Sequence, residues 1–424
     1  MFLILFARRR LALGVAALLF GALAMTASAV EPPLTFEAAV QRGLVNAPRL
    51  DARSADINAM HEEAARAGRL PDPSLTLGIA NYPVTAPGAF SLRSNPMTMR
   101  AIGIMQTIPS KASRDAMQQS AGAQIDAAEA TRVATMQTQQ EAIANAWIGV
   151  WAYAKQRTLL RDLKGESALA VKLAKARLRG GEGSATDVLA ARADALTLDN
   201  QLESNEAALG GARVSLQRWL GDSDTRLAEP PDFSMLPMDR AELEHSIDQQ
   251  APMQLWQARE QVADAALAEA RAAKHPDWSV GLSYANRAPG LSDTVSVQVG
   301  VSLPLFTRNR QDRGISAKYA ERDAVQADHE DARRAQHEVV ARAIATWQGW
   351  NRQIVRDEET LLPLTRDRTR AALAAYRGGG PLQPWLDARR DEIQFRLSYA
   401  DALAARAQLW ASLAYLLPSP ETTP

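Results

Sequence analysis

Two stretches of the chain alternate apolar with small or polar residues at the period of a β-strand. In the clearer one, Trp278, Val280, Leu282 and Tyr284 alternate with Ser279, Gly281, Ser283 and Ala285. Further on, Val295, Val297, Val299, Val301 and Leu303 alternate with Thr294, Ser296, Gln298, Gly300 and Ser302. A period of two with one apolar face predicts strands at about 277–286 and 294–303. Upstream, Leu75, Leu77 and Ile79 alternate in the same way, and strands are expected at about 73–82 and 97–106. The two regions align as copies. Pro71 meets Pro276 at an offset of 205, and Ile102-Gly103-Ile104 meets Val299-Gly300-Val301 at 197. Asp187-Val188-Leu189-Ala190-Ala191-Arg192 meets Pro384-Trp385-Leu386-Asp387-Ala388-Arg389 at 197 as well. The chain therefore reads as a duplicated helix–hairpin–helix unit. The change of offset predicts an eight-residue extension in the first hairpin loop, 83–96.

Strands of about ten residues cross a bilayer when tilted. A soluble antiparallel sheet with one wet face has the same pattern. Two features favour the membrane. The surrounding sequence is helical, so no second sheet exists to cover the apolar face. Four strands cannot close a barrel, and a bilayer tolerates no open edge. Chains would have to pool their strands, and three copies would supply twelve. The alignment puts Thr98, Arg100, Ile102 and Ile104 on the lipid side, where Arg100 is tolerable only near the rim.

Most of the remainder is Ala-rich and helical. Lys111 to Leu178 holds no proline, and Asn309 to Tyr376 holds only Pro363. At ~1.5 Å per residue each run would extend ~100 Å, which points to a coiled coil or a helical tube. Each ends in a turn: Arg179-Gly180-Gly181-Glu182-Gly183-Ser184 and Arg377-Gly378-Gly379-Gly380-Pro381. Return helices follow at Ala185–Leu220 and Pro384–Leu416, and shorter helices precede the hairpins at Pro48–Gly68 and Pro252–Lys274. The expected organisation is a first repeat over 30–220, a Pro- and Asp-rich linker over 221–240, a second repeat over 241–417 and a disordered tail over 418–424.

The N-terminus adds a destination. Arg8-Arg9-Arg10 precedes an apolar run from Leu11 to Met25 and then Ala27-Ser28-Ala29. This is the pattern of a secretory signal, expected over 1–29 and cleaved after Ala29. No later stretch is long and apolar enough for a transmembrane helix. Composition mainly excludes. Lys+Arg and Asp+Glu balance at 48 each, so there is no bulk electrostatic case for nucleic acid. Cysteine is absent, which removes disulfides, Cys-based zinc sites, a thiol nucleophile and a lipidated N-terminal cysteine.

Candidate chemistry is thin. Gly180-Gly181-Glu182-Gly183 lacks the Lys-Ser/Thr of a phosphate loop and reads as a turn. His61, His245, His275, His329 and His337 form no compact ligand cluster, and only His329 and His337 could share a helix face. Met97, Met99 and Met105 lie near the first hairpin, where packing is favoured over soft-metal binding. Trp147, Trp151, Trp347 and Trp350 read as packing anchors between helices. No catalytic constellation stands out. The chain is not expected to be an enzyme, to hold a metal or to need a cofactor.

These features, with Thr186-Asp187-Val188-Leu189-Ala190-Ala191-Arg192 after a Gly-containing turn and Val301-Ser302-Leu303-Pro304-Leu305-Phe306 leading into Arg308-Asn309-Arg310, resemble the TolC family of outer-membrane efflux channels. The last segment is most similar to the CzcC-like heavy-metal branch. The resemblance implies a mainly α fold with a small β part. As a homotrimer it would form a 12-stranded outer-membrane β-barrel above a long periplasmic α-helical barrel. It implies an outer-membrane lipid setting, a periplasmic adaptor (membrane fusion protein) and an inner-membrane pump as partners, and a passive exit duct for metal cations or drugs. It also places pore or gate candidates at the tip turns. Asp387 matches a tip acid, although a second acid expected three residues earlier is Pro384 here. Asp187 matches the first-repeat acid, which in the family bonds a Tyr and an Arg; Tyr376 and Arg377 are the nearest candidates. A helix first-turn acid is the competing role for Asp187. The competing reading of the whole chain is a periplasmic helical adaptor or structural coiled-coil protein.

Overall fold

The computed structural model describes residues 33–85, 87–221, 226–236, 238–287 and 290–416. The expected signal segment, the tail and part of the 221–240 linker lie outside them. The elements run α1 (Phe36–Val45), α2 (Pro48–Arg66), β1 (Ser74–Ala80), β2 (Met99–Ile108), α3 (Lys111–Arg179) and α4 (Ala185–Leu220). Then come α5 (Arg240–His245), α6 (Ala251–Ala272), β3 (Trp278–Asn286), β4 (Thr294–Val301), α7 (Gln311–Arg356), α8 (Leu362–Arg377) and α9 (Gln383–Ala414).

Local chemistry sets the helix boundaries. Ser110 caps α3, its hydroxyl accepting from the Ser113 N–H at 3.0 Å. From there α3 runs 69 residues without a break. The matching helix of the second repeat is interrupted. A π-helical turn, Asp357–Leu361, joins α7 to α8. Pro363, just beyond it, has no N–H for the carbonyl four residues back, and its ring would crowd that carbonyl. Widening the turn accommodates the ring without ending the helix.

The four strands form one antiparallel sheet in the order β1-β2-β3-β4. The β2–β3 pairing joins the two repeats, and β1 and β4 are its open edges. Cross-strand rows gather the apolar residues on one face: Leu75, Ile104, Leu282 and Val297 in one row, and Leu77, Ile102, Tyr284 and Val295 in the next. Leu77 and Val297 are each 71% exposed, far too open for a face that belongs in water. The register of the second hairpin differs by two residues from the one obtained by carrying the first hairpin's pairing over at the two offsets. Leu282 pairs with Val297, not Val299. A shift of two keeps every side chain on its face. It also makes the first hairpin's closing segment ten residues longer than the second's rather than eight, 81–98 against 286–293. Thr98 is not on the apolar face. It is buried just before β2, its hydroxyl donating to the Asn81 carbonyl at 3.0 Å. Arg100 stands at the loop end of its row and donates to Asn286 Oδ1 at 2.6 Å. Asn286 in turn donates to Asp293 Oδ1 at 2.8 Å, so the cation ends in a polar cluster at the rim.

Helices continue the strands in the same order. Below the sheet α2, α3, α6 and α7 pack side by side, and further down α4, α3, α9 and α8 do so. At mid-height the linker forms a belt. Leu34 bridges Leu227 in parallel, and Phe36 meets the rings of Trp147, Phe233 and Trp410 edge-on at 5.5–5.8 Å. Three indole N–H groups hold the belt to the wall: Trp147 to Leu34 O at 3.3 Å, Trp347 to Phe233 O at 3.1 Å and Trp410 to Met235 O at 2.6 Å. The described stretch 226–236 of the linker is thus a packed element, pinned where the sequence suggested only a connection.

Trp147 is fully buried at the centre of this cluster. Trp147→Ala is expected to cost about 3–5 kcal/mol through the cavity it leaves, read as a lower urea midpoint in purified protein.

Candidate functional site

The far ends of the helices carry the candidate residues. The first tip turn joins α3 to α4. Gly181 takes φ of 78°, which a side chain disfavours, and the chain then enters α4 through a capping box. Ser184 Oγ accepts from the Asp187 N–H at 3.1 Å, and Asp187 Oδ2 accepts from the Ser184 N–H at 3.1 Å. The Asp187 carboxylate therefore caps its own helix. The second tip turn joins α8 to α9 through Gly378, Gly379 (φ 97°) and Gly380. Gly380 donates to the Ala375 carbonyl at 3.0 Å. A Cβ there would lie 2.9 Å from that same oxygen, so only glycine fits without movement.

Tyr376 and Arg377 close α8, with opposite fates. Tyr376 is buried and Arg377 is exposed. The Tyr376 ring lies against Trp385 at 5.5 Å and 18°, and the guanidinium of Arg177 sits over the Tyr376 ring, 4.6 Å from its centre. Arg177 Nη1 also donates to the carbonyls of Tyr376 (2.9 Å) and Gly380 (3.1 Å). One side chain from the end of α3 thus clamps the end of α8 and the turn after it. The clamp sits on a shared apolar cluster that includes Ala174, Val188, Leu382 and Leu386. Among the described residues no hydrogen bond or ion pair joins Asp187 to Tyr376 or Arg377.

Asp387, half-buried one turn into α9, accepts from Gln383 Nε2 at 2.9 Å and lies 3.4 Å from Arg390. Arg390 reaches across to Asp194 of α4 at 2.8 Å. That hydrogen bond holds the Arg390 guanidinium above its ordinary pKa. Arg389 points the other way. It is buried, donates to the Leu163 carbonyl at 2.9 Å and lies 3.3 Å from Glu166. Burial pushes its guanidinium below the ordinary range, opposed by Glu166, Glu392 and Asp194. Consecutive arginines on α9 therefore stitch it to α3 and to α4.

Sequence reasoning missed Arg177. The repeated turns hold the only signal. Aligned on Arg179-Gly180-Gly181 and Arg377-Gly378-Gly379, the copies differ at Arg177 against Ala375 and at Leu178 against Tyr376. The clamp uses the residue unique to each copy. Elsewhere, His329 bonds Glu260 through Nδ1 at 2.9 Å, and no group of three metal-ligating residue types occurs among the described residues. No described helix is long and apolar enough to cross a membrane.

A family model described as "Outer membrane efflux protein" matches residues 39–222 and 244–418. No protein of curated function matches the chain. Several solved structures share the fold. A membrane protein from Pseudomonas aeruginosa superposes with a TM-score of 0.77 at 20% identity, covering 91% of this chain and 90% of that one. CusC, described in terms of folding and transmembrane channel formation, gives 0.75 at 16%, covering 91% and 92%. The Campylobacter jejuni CmeC outer membrane channel gives 0.74 at 11%, covering 91% and 86%.

Removing the clamp should loosen the tip and spare the rest. Arg177→Ala is expected to weaken local protection of 376–383 by about 1–3 kcal/mol in hydrogen exchange, with α3 above Leu163 unchanged. Arg177→Lys should recover little, because an ammonium cannot both cover the ring and fork between two carbonyls.

Proposed function

Because the chain belongs to the outer membrane efflux protein family, we propose that it is the outer-membrane channel of a tripartite efflux system, a passive duct completed by a periplasmic adaptor and an inner-membrane pump. The single observation that carries this reading is the sheet. It has one exposed apolar face and two unpaired edges, and helices of up to 69 residues continue from it. Pairing β4 of one copy with β1 of the next satisfies both edges, and three copies close twelve strands. The apolar rows then face lipid, with the Arg100 cluster at the outer rim and Trp278 at the opposite end, where an aromatic suits the interface.

In the trimer the tip turns surround the periplasmic entrance. Three copies of Asp387 form an acidic ring that favours cations, moderated by the neighbouring Arg390. Asp187, Tyr376 and Arg377 border the same entrance, and the Arg177 clamp ties the two hairpins of each copy. The Leu303-to-Arg310 segment supports a metal-cation cargo by its likeness to the heavy-metal branch. There Leu305 and Phe306 lie open at the strand-to-helix junction.

Fractionation with detergent extraction and sizing tests the channel. A detergent-dependent trimer is expected, and a soluble periplasmic monomer would refute the reading. A deletion strain should gain sensitivity to zinc, cobalt, cadmium or copper; unchanged sensitivity to all four would reject the metal assignment. The lipid face has its own test. Val297→Arg should cost about 2–4 kcal/mol of barrel stability and Ser296→Arg far less, measured by urea unfolding in lipid vesicles.

A further inference from the structure

The face of the sheet opposite the apolar rows is built almost wholly of Gly, Ala, Ser and Thr. The long side chains on it are Met99, Met105 and Gln298. Met99 pairs with Ala80 at the loop end. Met105 and Gln298 stand together. They fall in one cross-strand row, Met105 beside Gly281 and Gly281 beside Gln298. Both are exposed, and both border a hollow of about 270 Å³ on this face. Sheet packing does not require Gly281: a Cβ there would find its nearest atom at 3.7 Å, ordinary contact. Its absence leaves open the space between two long, flexible side chains. No charged residue occurs on this face of the four strands.

We propose that Met105 and Gln298, repeated in each copy, form the narrowest band of the barrel lumen, and that this band sorts solutes by bulk and not by charge. The inference rests on the trimeric-duct reading above. On every other row between the ends, the inward side chain has at most a methyl or hydroxyl beyond Cβ. Among the described strand residues between the ends, only this row carries side chains that reach into the passage. Thioether and amide carry no net charge, so passage through the band has no first-order dependence on the solute's sign.

The chain has no cysteine, so one introduced thiol reports its own site. Two single variants bracket the band. Ser296→Cys lies on its loop side, and Thr107→Cys lies past it toward α3. Intact cells producing each variant are treated with a small charged methanethiosulfonate and with a polyethylene-glycol-linked maleimide too large to cross the outer membrane elsewhere. The small reagent is expected to label both positions. The bulky one should label only Ser296→Cys. Adding Met105→Ala and Gln298→Ala should raise bulky labelling of Thr107→Cys about tenfold and leave the small reagent's rate unchanged. If the bulky reagent reaches Thr107→Cys equally with and without those two changes, the band is not the constriction. If even the small reagent labels neither site, this face is no lumen and the duct reading itself fails.

Discussion

A strand edge in hydrocarbon leaves N–H and C=O groups without any partner, at a cost of several kcal/mol for each group. In this chain that constraint falls on β1 and β4, at opposite sides of a four-stranded sheet. Turning the apolar face toward lipid raises the demand, since water can no longer cap the edges. The remaining architecture follows. A sheet too small to close must meet copies of itself. The helices that leave it must then be arranged around the same axis, in the order in which the strands pair. The α2, α3, α6, α7 sequence of neighbours below the sheet repeats β1, β2, β3, β4 above it. Strand and helix neighbours are thus set together, and the wall of the tube inherits its order from the sheet.

Long helices of low amphipathicity need lateral support, and the structure supplies it at two heights. At mid-height the belt of 226–236 is bonded to the wall through indole N–H groups on α7 and α9, and Leu34 beside it through the indole on α3. A main-chain carbonyl is a demanding acceptor when buried, and at Phe233 the indole of Trp347 supplies that partner while filling volume. At the tip the support is cationic. Arg177, Arg389 and Arg390 each reach from one helix to a carbonyl, ring or carboxylate on another. The guanidinium suits this work because its donors lie in a flat fork and its face can rest on an aromatic ring.

Much of the architecture was legible in the residues because it rests on periodicity. The alternation around Leu282 and Val297 fixed the strand faces. The absence of proline from Lys111 onward fixed a single helix, and the glycine turns marked both tips. The misreadings share one cause, contacts between segments distant in sequence. The repeat alignment carried no information about pairing and so missed the two-residue shift. Thr98 had the right parity for the apolar face, but its hydroxyl had a closer use at Asn81. The linker looked loose because Phe233 and Met235 gave no sign of the indoles waiting for their carbonyls. At the tip, Asp187 could be read either as a gate acid or as a cap. Its position three residues after Ser184 is the local mark of the capping box. Arg177, the residue that joins the two hairpins, stood among other basic residues at a helix end and had no local mark.

The two repeats are duplicates in sequence and unequal as mechanical parts. In α3 every residue from barrel to tip advances the helix at one pitch, so a twist at either end reaches the other. The π turn at Asp357–Leu361 adds one residue to that count and sets the phase of α8 back by about a quarter turn relative to α7. Above it, the helix keeps time with the sheet; below it, with the tip. One repeat is a rigid strut, and the other is a strut with a coupling in it. The coupling lies below the belt and above the clamp, so the two helical hairpins of each copy, alike in sequence, differ in how their two ends are joined.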